Sequence, residues 1–150
     1  MEQLRSPKVQ VHASCAARDG QGVLLLGPSG IGKSDLLLRL LDAGYDLVAD
    51  DRVVLEGGRA SAPPALAGLI EVRGMGLARL PFLADARAVL AVRLVRPQDR
   101  PDRLPASAQD SLTGLPEIRL DPALPSAVAR INLALDGLAG RCKILTFEQL

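Results

Sequence analysis

A chain of 150 residues, 48% hydrophobic and 23% charged, is long enough to bury a core of its own and too apolar for intrinsic disorder. A formal net charge of +1 and an aromatic content of 2% give neither the basic field nor the stacking platform of a nucleic-acid binder, and the uncharged apolar runs are too short to cross a bilayer. Met1 to Lys8 lacks the apolar core of a secretory signal, and Cys15 and Cys142 stand apart without a CxxC pairing, so the expectation is one α/β domain over 1–150, cytoplasmic, with neither thiol catalytic.

Taken in chain order, Val9 to His12 and Val23 to Leu26 read as strands, with Asp19-Gly20-Gln21-Gly22 as the hairpin turn between them. Gly27-Pro28-Ser29-Gly30-Ile31-Gly32-Lys33-Ser34 follows at once and fits GxxxxGK[ST]. In such a loop, glycines expose backbone N–H groups to phosphate oxygens, the lysine reaches the outer phosphates and the hydroxyl ligates Mg²⁺. The strand before it and the helix after it supply the context the motif requires. That helix is expected from Ser34 to about Ala43, nearly apolar all round through Leu36, Leu37, Leu38, Leu40 and Leu41, with Gly44 in a left-handed position to stop it.

Leu47-Val48-Ala49 reads as a short buried strand running into Asp50-Asp51, and Val53-Val54-Leu55 as the first arm of a hairpin turned by Gly57-Gly58. A carboxylate at the end of an apolar strand beside a P-loop holds Mg²⁺ directly or through water, and a second one can accept a substrate hydroxyl proton. Successive strand residues face opposite ways, so Asp50 and Asp51 reach one phosphate only if the backbone bends between them; the bland alternative is a solvated turn.

Pro63-Pro64 breaks the next segment, after which Leu69 to Val72 and Val89 to Val95 read as strands with Gly74-Met75-Gly76 in a loop between them. Glu71 and Arg73 share a strand face, which suits either a structural ion pair or a metal ligand beside a phosphate clamp. His12 is the sole histidine, and such a residue near a strand end is more often hydrogen-bonded than catalytic. The charged, proline-rich run from Arg96 and the polar residues to Thr113 suggest a long mobile loop over 96–113. Val128, Ile131, Leu135 and Leu138 line one face of a helix from about Pro125 to Gly140, followed by a terminal strand at Ile144 to Phe147.

The series GPSGIGKSD, LVADD, PP and IEVRGMGL, in that order, resembles the catalytic C-terminal domain of HPr kinase/phosphorylase, in its short form, over about Val11 to Leu104. The resemblance implies a P-loop α/β kinase domain related to phosphoenolpyruvate carboxykinase. It also implies ATP- and Mg²⁺-dependent phosphorylation of a serine on HPr or an HPr-like phosphocarrier, with phosphate-driven dephosphorylation releasing pyrophosphate as a second activity. On this likeness Asp50 is the base and Asp51 its supporting acid, Lys33 and the loop amides hold the phosphates, and Ser34 and Glu71 ligate the metal. Arg73 belongs to the signature segment, His12 orients the aspartate near the phosphate site, and Arg103 serves phosphorolysis. A homo-oligomer is expected on the same ground. The sequence departs from the family at Asp35, Tyr45 and Pro105, where Glu, His and Gly are usual, and the proline restricts the loop carrying Arg103. Two other classes stay open: a P-loop kinase of a small metabolite, and a noncatalytic nucleotide sensor.

Overall fold

The computed structural model describes residues 7–146. Its elements are β1 (Val9–Val11), β2 (Ala13–Arg18), β3 (Gln21–Leu26), α1 (Lys33–Asp42), β4 (Asp46–Ala49), β5 (Val53–Glu56), β6 (Arg59–Ser61), β7 (Leu69–Val72), β8 (Gly76–Arg79), β9 (Ala86–Leu94), β10 (Ala108–Gln109), β11 (Pro116–Leu120) and α2 (Ala127–Leu138). A nine-stranded sheet runs in the order β1-β5-β6-β9-β3-β2-β4, with β11 also on β9 and β10 on β11, and β7 and β8 form a separate two-stranded hairpin.

The P-loop strand is built for the centre of this sheet. Val23, Leu24, Leu25 and Leu26 are all buried, because β3 is paired on both edges and covered on both faces. One face packs Val23 and Leu25 with Leu36, Leu37 and Leu40 of α1 and Ile131 and Leu135 of α2. The other packs Leu24 and Leu26 with Cys15, Val48, Val53 and a set of alanines. Burying each leucine of α1 in the first cluster is worth about 1.5–3 kcal/mol. Leu38 escapes it and is exposed, so α1 has an apolar face rather than being apolar all round as expected. The helix does stop at Gly44, as the sequence predicts. Gly44 has φ 99, and the amides of Gly44 and Tyr45 donate to the Leu41 and Leu40 carbonyls, each at 3.0 Å, closing a Schellman turn.

The expected hairpin exists with a different first arm. Ala13–Arg18 pairs antiparallel with β3, from Ala13↔Leu26 to Arg18↔Gln21, leaving Asp19 and Gly20 as a two-residue turn with both φ values positive. The strand read at Val9 to His12 ends at Val11 and pairs with β5. Small residues disfavour strands in isolation, and Ala13 to Ala17 form one because neighbours hydrogen-bond them on both edges. Since β2 lies antiparallel to both β3 and β4, those two run in the same direction and their C-terminal ends open on one side of the sheet. That side carries both the P-loop and the acidic pair.

The β5-β6 hairpin, the β4 strand and α2 match expectation. Three strands lie where none is expected, one of them inside the 96–113 segment. Gly76–Arg79 folds back on β7, and Pro116–Leu120 runs parallel to the C-terminal half of β9. Within 96–113, Ala108–Gln109 pairs with β11, and buried Asp110 accepts the Arg93 guanidinium at 2.8 Å. Residues 144–146 do not form the expected terminal strand, and Phe147 lies outside the described residues. Ile144 instead folds over Gly137 of α2, its Cδ1 3.1 Å from where a Cβ at that glycine would stand.

Candidate active site

The loop between β3 and α1 is shaped by Gly27, Gly30 and Gly32, all at positive φ values that an ordinary side chain rarely adopts. Gly32 has φ 111, and a Cβ there would stand 3.4 Å from Pro122 Cγ. As the N-cap of α1 it offers no side chain to the first-turn amides, which leaves them to an anion at the positive end of the helix. Lys33 is buried with its ammonium donating to the Gly27 and Pro28 carbonyls at 2.6 and 3.0 Å. Burial lowers its pKa below the usual lysine value, with Asp51 and then Asp50 opposing that shift through their charges.

The acidic pair meets this loop directly. Ser34 donates its hydroxyl to Asp50 Oδ1 at 2.9 Å, and Ser14 donates to the same oxygen at 2.8 Å. Asp50 Oδ2 meets the Glu71 backbone N–H at 3.4 Å, a long bond that leaves this oxygen largely available. The backbone bends as two convergent aspartates require. Asp51 has φ 68, and the Arg52 amide donates to the Asp50 carbonyl at 2.8 Å across it, the geometry of a γ-turn. His12 Nε2 then lies 2.6 Å from Asp51 Oδ1. With its proton on Nε2, the imidazole donates to the carboxylate and fixes its direction.

These groups line one cleft of about 620 Å³, with Ser29, Gly30, Gly32, Lys33 and Ser34 on one side. His12, Asp50 and Asp51 lie across its floor, and Glu71 and Arg73 come from the β7-β8 hairpin. Among the described residues Glu71 and Arg73 form no ion pair with each other, so the purely structural reading of Glu-x-Arg finds no support. Arg103 is exposed and does not line the cleft. Gly27, Pro28 and Ile31 shape the loop from behind: a Cβ at Gly27 would come 3.0 Å from Ile31 Cγ2, and the Ile31 amide donates to the Pro28 carbonyl at 3.2 Å.

No group of three or more His, Cys, Asp or Glu gathers among the described residues as a protein-only metal cage. The cleft instead offers hard oxygen donors, the Ser34 hydroxyl and the carboxylates of Asp50 and Glu71. A donor set this small suits Mg²⁺, which takes one or two carboxylates and fills its octahedron with phosphate oxygens and water.

Sequence reading missed Ser14, because the strand that carries it was not expected. The available signal was a hydroxyl inside an unbroken run of small apolar residues, since a buried polar group there needs a bonded partner.

A phosphate loop with its lysine and hydroxyl, joined to a carboxylate at the end of a parallel strand, defines a P-loop kinase-type α/β domain. The chain belongs to the family described as the HPr Serine kinase C-terminal domain, whose sequence profile matches residues 3–96. It is 38% identical over 133 residues to the HPr kinase/phosphorylase of Cupriavidus necator and 39% identical over 136 residues to that of Burkholderia cenocepacia. Each match covers 77% of this chain and 40% of the relative, so the chain spans about two fifths of those proteins. Among solved structures, the Hpr(Ser) kinase/phosphatase from Coxiella burnetii superposes with a TM-score of 0.75 at 26% identity, over 89% of this chain and 97% of that one.

Proposed function

We propose that the domain is an ATP- and Mg²⁺-dependent protein-serine kinase whose substrate is HPr or an HPr-like phosphocarrier, with phosphorolysis of the phosphorylated carrier as the reverse activity. The names of the relatives support the reaction class. The single observation that carries the reading is the Ser34–Asp50 contact, which ties the phosphate loop to a carboxylate with one oxygen still open.

On this reading the loop amides and Lys33 orient the triphosphate, and Ser34 and Glu71 hold the divalent ion, which supplies charge neutralisation at the phosphates. Asp50 takes the proton of the incoming serine hydroxyl through Oδ2 in the forward direction and returns it in the reverse direction. His12 holds Asp51, whose charge supports the reacting groups, and Arg73 faces the phosphates from the opposite wall. Arg103 is assigned to phosphorolysis, where inorganic phosphate needs a cation that movement of the 96–113 segment would bring in. We further assign the domain to the cytoplasm and to a homo-oligomer. Among the described residues no helix is long and apolar enough to cross a membrane.

Incubating the domain with ATP, Mg²⁺ and the host's HPr-like proteins, followed by phosphosite mapping, tests the reading. Serine labelling of one such carrier is expected. Transfer to a small alcohol or acid with no carrier labelled would replace it with the metabolite-kinase reading, and nucleotide binding without turnover would replace it with a sensor.

A further inference from the structure

We infer that Ser14 is the positioning residue of the acidic pair, an assignment that rests on the kinase reading and deepens it. Ser14 sits in β2 with no exposed surface, between Ala13 and Cys15, and its hydroxyl is the polar group that strand sends toward the active site. It does not line the cleft, so its route to the reaction runs through the aspartates it holds.

One hydroxyl engages both aspartates in different ways. Its hydrogen goes to the Asp50 carboxylate at 2.8 Å, and its lone pair accepts the Asp51 backbone N–H at 3.2 Å. A serine has one donor and two acceptor positions, so the two bonds fix the rotor and order the whole set: the Asp51 amide to Ser14, and Ser14 to Asp50. Ser34 adds the second donor to the same oxygen. With Oδ1 occupied from two sides, the carboxylate plane is set and Oδ2 is the oxygen presented to an incoming hydroxyl.

The lower bond acts on the backbone. Asp51 is held at φ 68, a left-handed conformation a non-glycine residue seldom adopts, within the tight turn closed by Arg52. Such a turn persists when its surroundings over-determine it, and here the Ser14 hydroxyl holds its amide while His12 holds its side chain. Release of the amide would let Asp51 relax and swing Asp50 away from Ser34. Ser14 therefore acts on the reaction through the two aspartates, with no part in nucleotide binding.

Steady-state kinetics of Ser14→Ala and Ser14→Thr against wild type, together with native-state amide exchange, test the assignment. Ser14→Ala is expected to lower kcat about 10- to 100-fold, the scale of a small misplacement of a reacting group, with KM for ATP unchanged. Ser14→Thr, which keeps the hydroxyl, restores most of kcat, and the Asp51 amide exchanges faster in Ser14→Ala than in wild type. Should the alanine variant fail to fold, Ser14→Cys, a weak donor of similar size, carries the same comparison. Wild-type kcat in the alanine variant, or a parallel loss of kcat and ATP affinity in both variants, overturns the assignment. A wild-type domain that transfers no phosphate overturns the kinase reading alone; the Asp51 exchange rate then decides for Ser14, with faster exchange upholding it and unchanged exchange overturning it.

Discussion

Ser34 and Asp50, 16 positions apart in sequence, meet at 2.9 Å through a hydroxyl-to-carboxylate hydrogen bond. One belongs to the first turn of α1 and the other to the end of β4, so the group that would ligate a cation and the group that would take a proton share a single bond. Asp50→Asn keeps the size and removes the negative charge. It is expected to cut phosphotransfer about 10²- to 10⁴-fold while ATP affinity measured by calorimetry stays near wild type. Near-normal turnover in a folded, nucleotide-bound variant would move the base to Asp51.

Gly32 offers a test of the loop itself. Its φ of 111 leaves alanine in a backbone conformation that L side chains rarely adopt, although Pro122 at 3.4 Å would meet the new Cβ only in ordinary contact. Gly32→Ala is expected to cost about 1–3 kcal/mol in thermal or denaturant unfolding and to weaken nucleotide binding, since the first-turn amides shift with it. Unchanged affinity would show that the amides of this turn do not hold phosphate.

A pH effect on stability follows from Asp110. Burial alone would push its carboxyl up, but the hydroxyl and amide of Thr113 and the Arg93 guanidinium outweigh burial and hold it below the usual range. A carboxyl lowered by folding contributes stability that is complete above its ordinary value of 3.8 and is lost as pH falls through the lower folded value. Asp110→Asn is therefore expected to be less stable than wild type by about 1–3 kcal/mol at pH 7. In denaturant melts the gap should close well below pH 3.8. A gap independent of pH would mean that the charge contributes nothing.

The two thiols are predicted to differ in reactivity. Burial pushes the Cys15 thiol up to about 12, against a small opposing effect from the Val23 backbone, whereas Cys142 is half-buried. Only the thiolate attacks a disulfide reagent, so the native protein should be labelled at Cys142 and spare Cys15 until it is unfolded. Peptide mapping after labelling with and without denaturant reads this directly. Rapid native labelling at Cys15 would show that β2 opens readily.

Much of the site was legible because its parts are local. A glycine-rich loop between an apolar strand and a leucine-rich helix carries its own context, and a run of apolar residues ending in two aspartates marks a strand end. Two adjacent aspartates can serve one cleft only where the backbone bends, and Asp51 supplies that bend with φ 68. What escaped depends on pairing. Ala13 to Ala17 have no strand preference of their own, and Pro116–Leu120 starts with a proline and alternates weakly, yet both become strands through neighbours distant in sequence. The contacts between His12 and Asp51 and between Ser14 and Asp50 span 39 and 36 positions, distances over which residue spacing carries no geometric information.

The position of β2 between β3 and β4 sets the width of the cleft's mouth. Two inter-strand spacings, about 9.5 Å, separate the strand that launches the phosphate loop from the strand that ends in acid. The interposed strand is thus a separate site for tuning. Substitutions along it can re-aim the acids while every residue of the phosphate loop and of the acidic pair stays as it is.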